Sequence, residues 1–441
     1  MKNQVFDTVV IGGGASGLVT AIFAAKNGCR VLVLEQKDKL CKKIYATGNG
    51  KCNFTNKYWQ PAYFRGSDFS FAEPVLRAFS LEDTLAFFKE IGVYPKERNG
   101  YYYPASEQAA SVAESLSREA KRLGVECLTG VRVSRVMRND DKSCSQANGV
   151  AKENNSVHKK STAPFTAETD QGTFYGKSMV LATGGKASPA HGSDGSGYPF
   201  AKSFGHTVIP PLPAIVQLKA EGKFFKTLAG VRTDGRVTLH IGKDTYSEEG
   251  ELLFAAYGLS GIPVMQVSRY ASVALAQKKP VTAELDLFPA LAEGELAEEI
   301  ARRFRLMKDN SAEEALAGLC NHKLNYVMLQ LCGLEPTKKA VAYGKKEVAA
   351  LAEQIKHFTV KITDTNGFEQ AQACAGGVPL SELTESMESK LVPGLFITGE
   401  LADIDGTCGG YNLQWAWSSG ATAGKKIGGT YASHSTVETK H

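Results

Sequence analysis

Gly12, Gly14 and Gly17 stand in G-x-G-x-x-G spacing near the start of the chain, and an acid, Glu35, comes eighteen residues after the last of them. These residue types suit one task, holding a pyrophosphate and the sugar beside it. The first glycine permits a tight turn, the second lets backbone approach a pyrophosphate without a Cβ, and the third lets a helix pack close to a strand. A helix start offers free N–H groups and about half a positive charge to the phosphates. A carboxylate at position 35 can accept hydrogen bonds from both ribose hydroxyls and disfavours a 2′-phosphate.

The surrounding residues supply the elements that such a turn needs. Residues 7–11 (DTVVI) end in the apolar run Val9-Val10-Ile11, as expected of a strand buried on both faces. Helical spacing of Leu18, Ile22 and Ala25 predicts a helix over 15–27, ending at Asn27-Gly28, and a second buried strand over 30–34 leads to Glu35. The unit is a βαβ dinucleotide-binding start.

The residues beyond Glu35 separate FAD from NAD. Residues 36–56 (QKDKLCKKIYATGNGKCNFTN) form a long basic loop rich in glycine and asparagine, suited to wrap an extended cofactor. Two later strands end in glycine: 178–182 runs into Thr183-Gly184-Gly185, and 394–400 ends at Gly399-Glu400. Both would return the chain to the cofactor, so the fold is expected to be assembled from both ends of the sequence. The stretch 397–420 (ITGELADIDGTCGGYNLQWAWSSG) then supplies a late helix starting near Asn412, whose free N–H groups could meet the reduced flavin's anionic edge. Gly409 and Gly410 are expected to keep that approach clear of side chains. Of the faces carrying Tyr411, Trp415 and Trp417, at most one can line the flavin, and the other packs in the core.

The motifs VVIGGGASGL, TGNGKCNFTN, VLATGG, MESKLVPGLFITGE and DGTCGGYNLQWAWSSG together resemble a flavoprotein family that includes aminoacetone oxidase and a bile-acid double-bond reductase of gut bacteria. The resemblance covers the whole chain. It implies FAD and an α/β fold: a glutathione-reductase-like FAD-binding Rossmann domain built from both chain ends, with an inserted region holding a small β-barrel and helices. It places Gly12, Gly14, Ala15, Ser16 and Gly17 on the pyrophosphate and Glu35 on the adenosine ribose. Lys43, Asn49, Gly50 and Asn53 would lie along the cofactor, and Val133 would offer backbone groups to the adenine. Thr183 and Gly184 would line the path, Gly399 and Glu400 would approach the ribityl and phosphates, and Asn412 and Leu413 would meet the flavin pyrimidine. One departure concerns LLFAAYGLSGIP (252–263), where Ala255 and Ala256 replace a polar pair of relatives; if those side chains touch substrate in relatives, the site here is more apolar and substrate identity does not transfer.

The domain reading is a first Rossmann part over 1–190, an inserted β-rich region over 191–290, a helical subdomain over 291–345, a second Rossmann part over 346–431 and a disordered tail over 432–441. Asn366-Gly367 predicts a hairpin turn between flanking strands. Residues 138–163, polar and free of aromatics, read as an elongated surface loop.

Composition bounds the function. The chain has 441 residues, 43% hydrophobic and 22% charged, with a net charge of +5 and no block of like charge that would mark a nucleic-acid arm or membrane patch. Nine scattered cysteines without a C-x-x-C fit a reduced, cytoplasmic protein and argue against a dithiol reductase. No H-x-x-x-H, H-E-x-x-H or G-x-S-x-G occurs, so neither a protein-held metal nor a hydrolase elbow is expected. The reading is an FAD-dependent oxidoreductase passing hydride through flavin N5. It would reduce a conjugated C=C bond or oxidise an amine or C–H bond of a small molecule, with Asn49, Tyr257 and Tyr411 near the chemistry. NAD(P)H, if it is the donor, would bind transiently, because residues 192–205 make a poor second dinucleotide site. The expected partner is a small-molecule substrate, with no nucleic acid, no membrane, and a monomer or homodimer as the assembly. The alternative is a flavin-dependent tRNA-modifying protein or a non-catalytic flavin scaffold.

Overall fold

In the computed structural model the described residues are 4–139 and 163–435, so most of the loop expected at 138–163 lies outside them. Two compact units are formed, Met1–Pro211 with Ala373–His441, and Leu212–Gln372.

The first unit is built on a mainly parallel sheet. Strand β1, Val5–Ile11, is buried from Thr8 to Ile11, where Val9, Val10 and Ile11 give it an apolar end, and β2, Val31–Glu35, is buried along its whole length. Between them runs helix α1, Ala15–Lys26. From one edge the strand order is Glu126–Thr129, β2, β1, Gly172–Leu181, Phe165–Thr169 and Val133–Arg138. The strand Gly172–Leu181 is shared: its first half pairs antiparallel with Phe165–Thr169, and its last residues, Met179 to Leu181, pair in parallel with Leu395–Ile397. That pairing is how the late segment of the sequence enters the N-terminal sheet.

The C-terminal helix, Tyr411–Ser435, completes the joining of the two chain ends. Gly420, Gly424 and Gly428 recur every four residues and so share one helix face. A Cβ on Gly420 or Gly424 would lie 2.5 Å from the Ser16 or Thr20 carbonyl oxygen, and one on Gly428 would lie 2.5 Å from Asn27 Cβ. Glycine at these positions lets the last helix seat against α1 at backbone distance. The helix continues to Ser435, past the point where a tail was expected; residues 436–441 of that tail lie outside the described residues.

The second unit holds a closed six-stranded barrel, in the order Leu218–Ala220, Gly258–Ser260, Asp244–Ala255, Arg232–Ile241, Val281–Asp286 and Phe358–Thr365. Its strands share one apolar core with helices Ile262–Ala276, Glu293–Leu306, His322–Leu331 and Lys345–Lys356. Barrel and helices are therefore one packed body rather than a β region with a separate helical one after it. The hairpin expected at Asn366-Gly367 does not form. Phe358–Thr365 pairs with Leu218–Ala220 and Val281–Asp286 to close the barrel, while Ala373–Gly377 belongs to the first unit. The chain thus returns to the first unit at 373 rather than 346, because the strand before the turn is claimed by the barrel.

Candidate cofactor and active site

At the N-terminal turn the three glycines serve three different needs. Gly12 has φ +103°, and a Cβ there would sit 2.4 Å from the Ala182 carbonyl oxygen. A Cβ on Gly17 would sit 2.0 Å from the Gly12 carbonyl oxygen, so the start of α1 can lie on the turn only without one. At Gly14, by contrast, a Cβ would meet nothing within 4 Å. Gly14 precedes Ala15 and Ser16 at the start of α1 and makes no side-chain cap to it. Open space beside an uncapped helix start is what a pyrophosphate requires, so this turn fits the group.

Glu35 ends β2 with its carboxylate buried against this turn. One oxygen accepts the Gly13 N–H at 2.7 Å and the other the Lys37 N–H at 2.8 Å. Burial pushes its pKa above the ordinary carboxylate value, opposed by the N–H groups of Lys37 and Gly13. The acid therefore also ties the glycine turn to β2, a task that spacing alone did not reveal. Val133 begins the edge strand and is buried, paired with Thr169 beside a register irregularity.

In the loop after β2, Gly48 (φ +55°) and Asn49 (φ +53°) are both left-handed, and Asn49 and Gly50 are exposed. Asn53 Oδ1 is buried without a hydrogen-bond partner among the described residues, an acceptor that a ligand donor could satisfy. Lys43 reaches across to Glu400, Nζ to Oε2, at 3.0 Å. That same Glu400 oxygen accepts the Gly185 N–H at 3.2 Å, and the other accepts the Cys374 N–H at 2.9 Å. Glu400 thus fastens three separated segments beside Thr183 and Gly184. Gly399 has φ +67°, and a Cβ on it would lie 2.5 Å from Ser16 Oγ, which places the late strand's end directly against the start of α1.

The C-terminal motif packs differently from its sequence expectation. Gly409 and Gly410 have φ +130° and +94°. A Cβ on Gly410 would lie 2.9 Å from Thr55 backbone atoms and from Asn53 Oδ1, and one on Gly409 would lie 3.2 Å from Asn56 Nδ2. The pair makes room for the segment 53–56 rather than holding a gap open. Asn56 Nδ2 donates to the Gly409 carbonyl at 3.0 Å, joining motifs from the two ends of the chain.

Asn412 is turned back on its own approach loop. Its Nδ2 donates to the Gly406 carbonyl at 2.8 Å and its Oδ1 accepts the Gly406 N–H at 2.9 Å. Leu413 is half-buried on the core. Both tryptophans are buried with their N–H groups paired, Trp415 to the Gly399 carbonyl at 2.9 Å and Trp417 to the Phe54 carbonyl at 2.8 Å. Tyr411 is buried too, its hydroxyl donating to the Tyr58 carbonyl at 2.9 Å. All three aromatics are core residues that fix the head of the helix.

Tyr257 belongs to the second unit, at the turn between Asp244–Ala255 and Gly258–Ser260, and is 41% exposed. Cys41 and Cys52 are buried, and burial pushes the Cys52 thiol up to about 12, so neither is a reactive thiolate at neutral pH. Among the described residues no cluster of His, Cys, Asp or Glu could hold a metal ion, and no helix is long and apolar enough to cross a membrane.

Sequence reading passed over Gln414. It is buried and joins Thr55 Oγ1 (2.6 Å), Thr84 Oγ1 (2.9 Å) and Ser418 Oγ (3.0 Å), clamping the last helix to the cofactor loop. Asp403 was also missed: its two oxygens accept the Ser67 N–H at 2.7 Å and the Gly376 N–H at 3.1 Å. A polar residue among small and aromatic neighbours was the only signal for either.

The parallel sheet, the open glycine turn and the buried acid after β2 define a dinucleotide-binding Rossmann protein of the FAD-dependent oxidoreductase class. A family model described as the HI0933-like protein Rossmann domain matches residues 6–154 and 142–426, and the chain belongs to that family. Over 424 residues, 94% of this chain and 97% of the relative, it is 40% identical to the 3-dehydro-bile acid delta(4,6)-reductase of Clostridium scindens. It is 29% identical over 422 residues to the ribosomal RNA dihydrouridine synthase of Haemophilus influenzae, covering 95% of this chain and 97% of that one. The solved structure of 3-ketosteroid delta1-dehydrogenase from Sterolibacterium denitrificans is 12% identical with a TM-score of 0.48, covering 97% of this chain and all of that one.

Proposed function

We propose that this chain is a reductase that saturates a carbon–carbon double bond conjugated to a carbonyl in a small ring-containing molecule, with NAD(P)H as the electron donor. The observation that carries this reading is the 40% identity, along nearly the full length of both chains, to a protein named as a double-bond reductase. Bound FAD would supply hydride transfer at N5. The chain's part is to hold and orient: the start of α1 from Gly14 to Gly17 for the pyrophosphate, Glu35 for the ribose, and Asn53 with the backbone N–H groups of Asn412 and Leu413 toward the ring. Lys43 and Glu400 act as a paired brace beside Thr183 and Gly184. Asn49, exposed on its left-handed turn, is the candidate for substrate contact. Tyr411, its hydroxyl engaged, serves by packing.

The test begins with the absorption spectrum of the purified protein and an anaerobic titration with NADH and NADPH. A 3-keto-Δ4 steroid acid is then supplied, and the product is examined for a gain of two hydrogen atoms. Bleaching by a nicotinamide and recovery of colour on adding the steroid support the reading. If neither nicotinamide bleaches the flavin while O2 re-oxidises a substrate-reduced form, the enzyme is an oxidase instead. A second reading, reduction of uridine in RNA, draws on the 29% identity to the dihydrouridine synthase. Binding of ribosomal RNA in a gel shift at physiological salt would favour it.

A further inference from the structure

The strand Tyr101–Pro104 is the middle member of a small three-stranded sheet, between Thr55–Asn56 and Pro95–Arg98. Alternation along a strand puts Tyr101 and Tyr103 on one face and Tyr102 on the other. Tyr102 packs on the apolar core. The opposite face meets both glycine turns that carry the cofactor motifs. A Cβ on Gly409 would lie 3.3 Å from Tyr101 Cε1, and one on Gly48 would lie 3.9 Å from Tyr103 Cε1.

Two tyrosines on one strand thus border the two turns, one from each end of the chain. Tyr101 is 37% exposed, and the neighbouring Tyr58 and Trp59 are 57% and 42% exposed. Asn56 fixes this corner through both ends of its amide, donating to the Gly409 carbonyl at 3.0 Å and accepting the Tyr58 N–H at 2.9 Å. Exposed aromatic rings held by a rigid polar clamp at the edge of a cofactor site are an arrangement for gripping a flat apolar ligand.

We propose that Tyr101 and Tyr103 form the substrate-facing wall of the site: Tyr101 packs its ring on the flat face of a conjugated ring ketone, and the Tyr103 hydroxyl donates to the ketone oxygen. This rests on the reductase reading and names the residues that would select its substrate. Residues two apart on a strand are about 6.7 Å apart, roughly the span of one ring and its carbonyl. A hydrogen bond to that oxygen draws electron density from the double bond and readies its far carbon for a hydride, which reduced FAD would supply with NAD(P)H as the electron source, while the carbon beside the carbonyl takes a proton from water.

The experiment uses FAD-loaded protein and a 3-keto-Δ4 steroid acid. It measures equilibrium binding by calorimetry and, separately, kcat and KM. Tyr101→Ala is expected to weaken binding about tenfold, the weight of one lost aromatic face, with FAD content unchanged. Tyr101→Phe should bind like the wild type. Tyr103→Phe should lower kcat about tenfold or more while changing the binding constant far less. If Tyr101→Ala is insoluble, Tyr101→Leu keeps the bulk without the flat ring and carries the same expectation. Wild-type binding that both Tyr101 replacements leave unchanged overturns the tyrosine wall alone. FAD-loaded wild type that does not bind the steroid, or binds uridine in its place, overturns the substrate reading beneath it.

Discussion

Gly14 and Gly410 each stand just before the first turn of a helix in the same unit, yet a methyl group at each would meet different surroundings. At Gly14 it would find nothing within 4 Å, and the backbone there, φ −83°, suits any residue. At Gly410 it would strike Thr55 backbone at 2.9 Å from a φ of +94°. The first glycine leaves space for something outside the chain; the second lets the chain meet itself. Glycine at a helix head is thus two signals under one letter, and only the neighbouring segment separates them.

Substitutions can break or sharpen that contrast. The largest effect is expected from Gly410→Ala, which adds a left-handed backbone penalty to a backbone overlap. It should cost about 3 kcal/mol of stability, read as a drop in the urea midpoint with or without cofactor. Glu35→Ala should cost about 2 kcal/mol by leaving the Gly13 and Lys37 N–H groups without their carboxylate, and should weaken FAD retention as well. Unchanged FAD affinity in that variant would remove the acid from the adenosine site.

Glu35 also gives a pH signature. Its folded pKa lies above the ordinary 4.5, so the folded state holds the proton more tightly than the unfolded chain. Its contribution to stability is full below 4.5 and is lost as pH rises through the folded value. Urea midpoints of the apoprotein across that window should fall less in Glu35→Gln than in the wild type. A smaller loss, about 1 kcal/mol, is expected of Asn412→Ala, which removes the two hydrogen bonds to Gly406. Differential scanning of the apoprotein would register it as a modest fall in Tm.

The βαβ start was legible because burial on both faces leaves short apolar runs, Val9–Ile11 in β1 and Val31–Leu34 in β2, and the turn between them admits few residues. The joining of the chain ends was legible from strands that stop in glycine, Leu181 before Thr183-Gly184 and Ile397 before Gly399. The hairpin at Asn366-Gly367 misled, because a good local turn says nothing about which sheet claims each strand; closing the barrel outweighed local pairing. At most one face of the C-terminal aromatics was expected to line the flavin, and Trp415 and Trp417 each answer to a carbonyl elsewhere in the core. Gln414 and the run Tyr101-Tyr102-Tyr103 were silent, since a buried glutamine and three like residues carry no periodicity from which to infer a face.

The most direct measurement is FAD titration of Gly14→Ala apoprotein beside the wild type, with urea unfolding of both in the absence of cofactor. The expected result is a loss of FAD affinity of tenfold or more, with apoprotein stability within about 0.5 kcal/mol of the wild type. Equal FAD affinity in the two proteins would contradict the assignment of the open space at Gly14 to the cofactor.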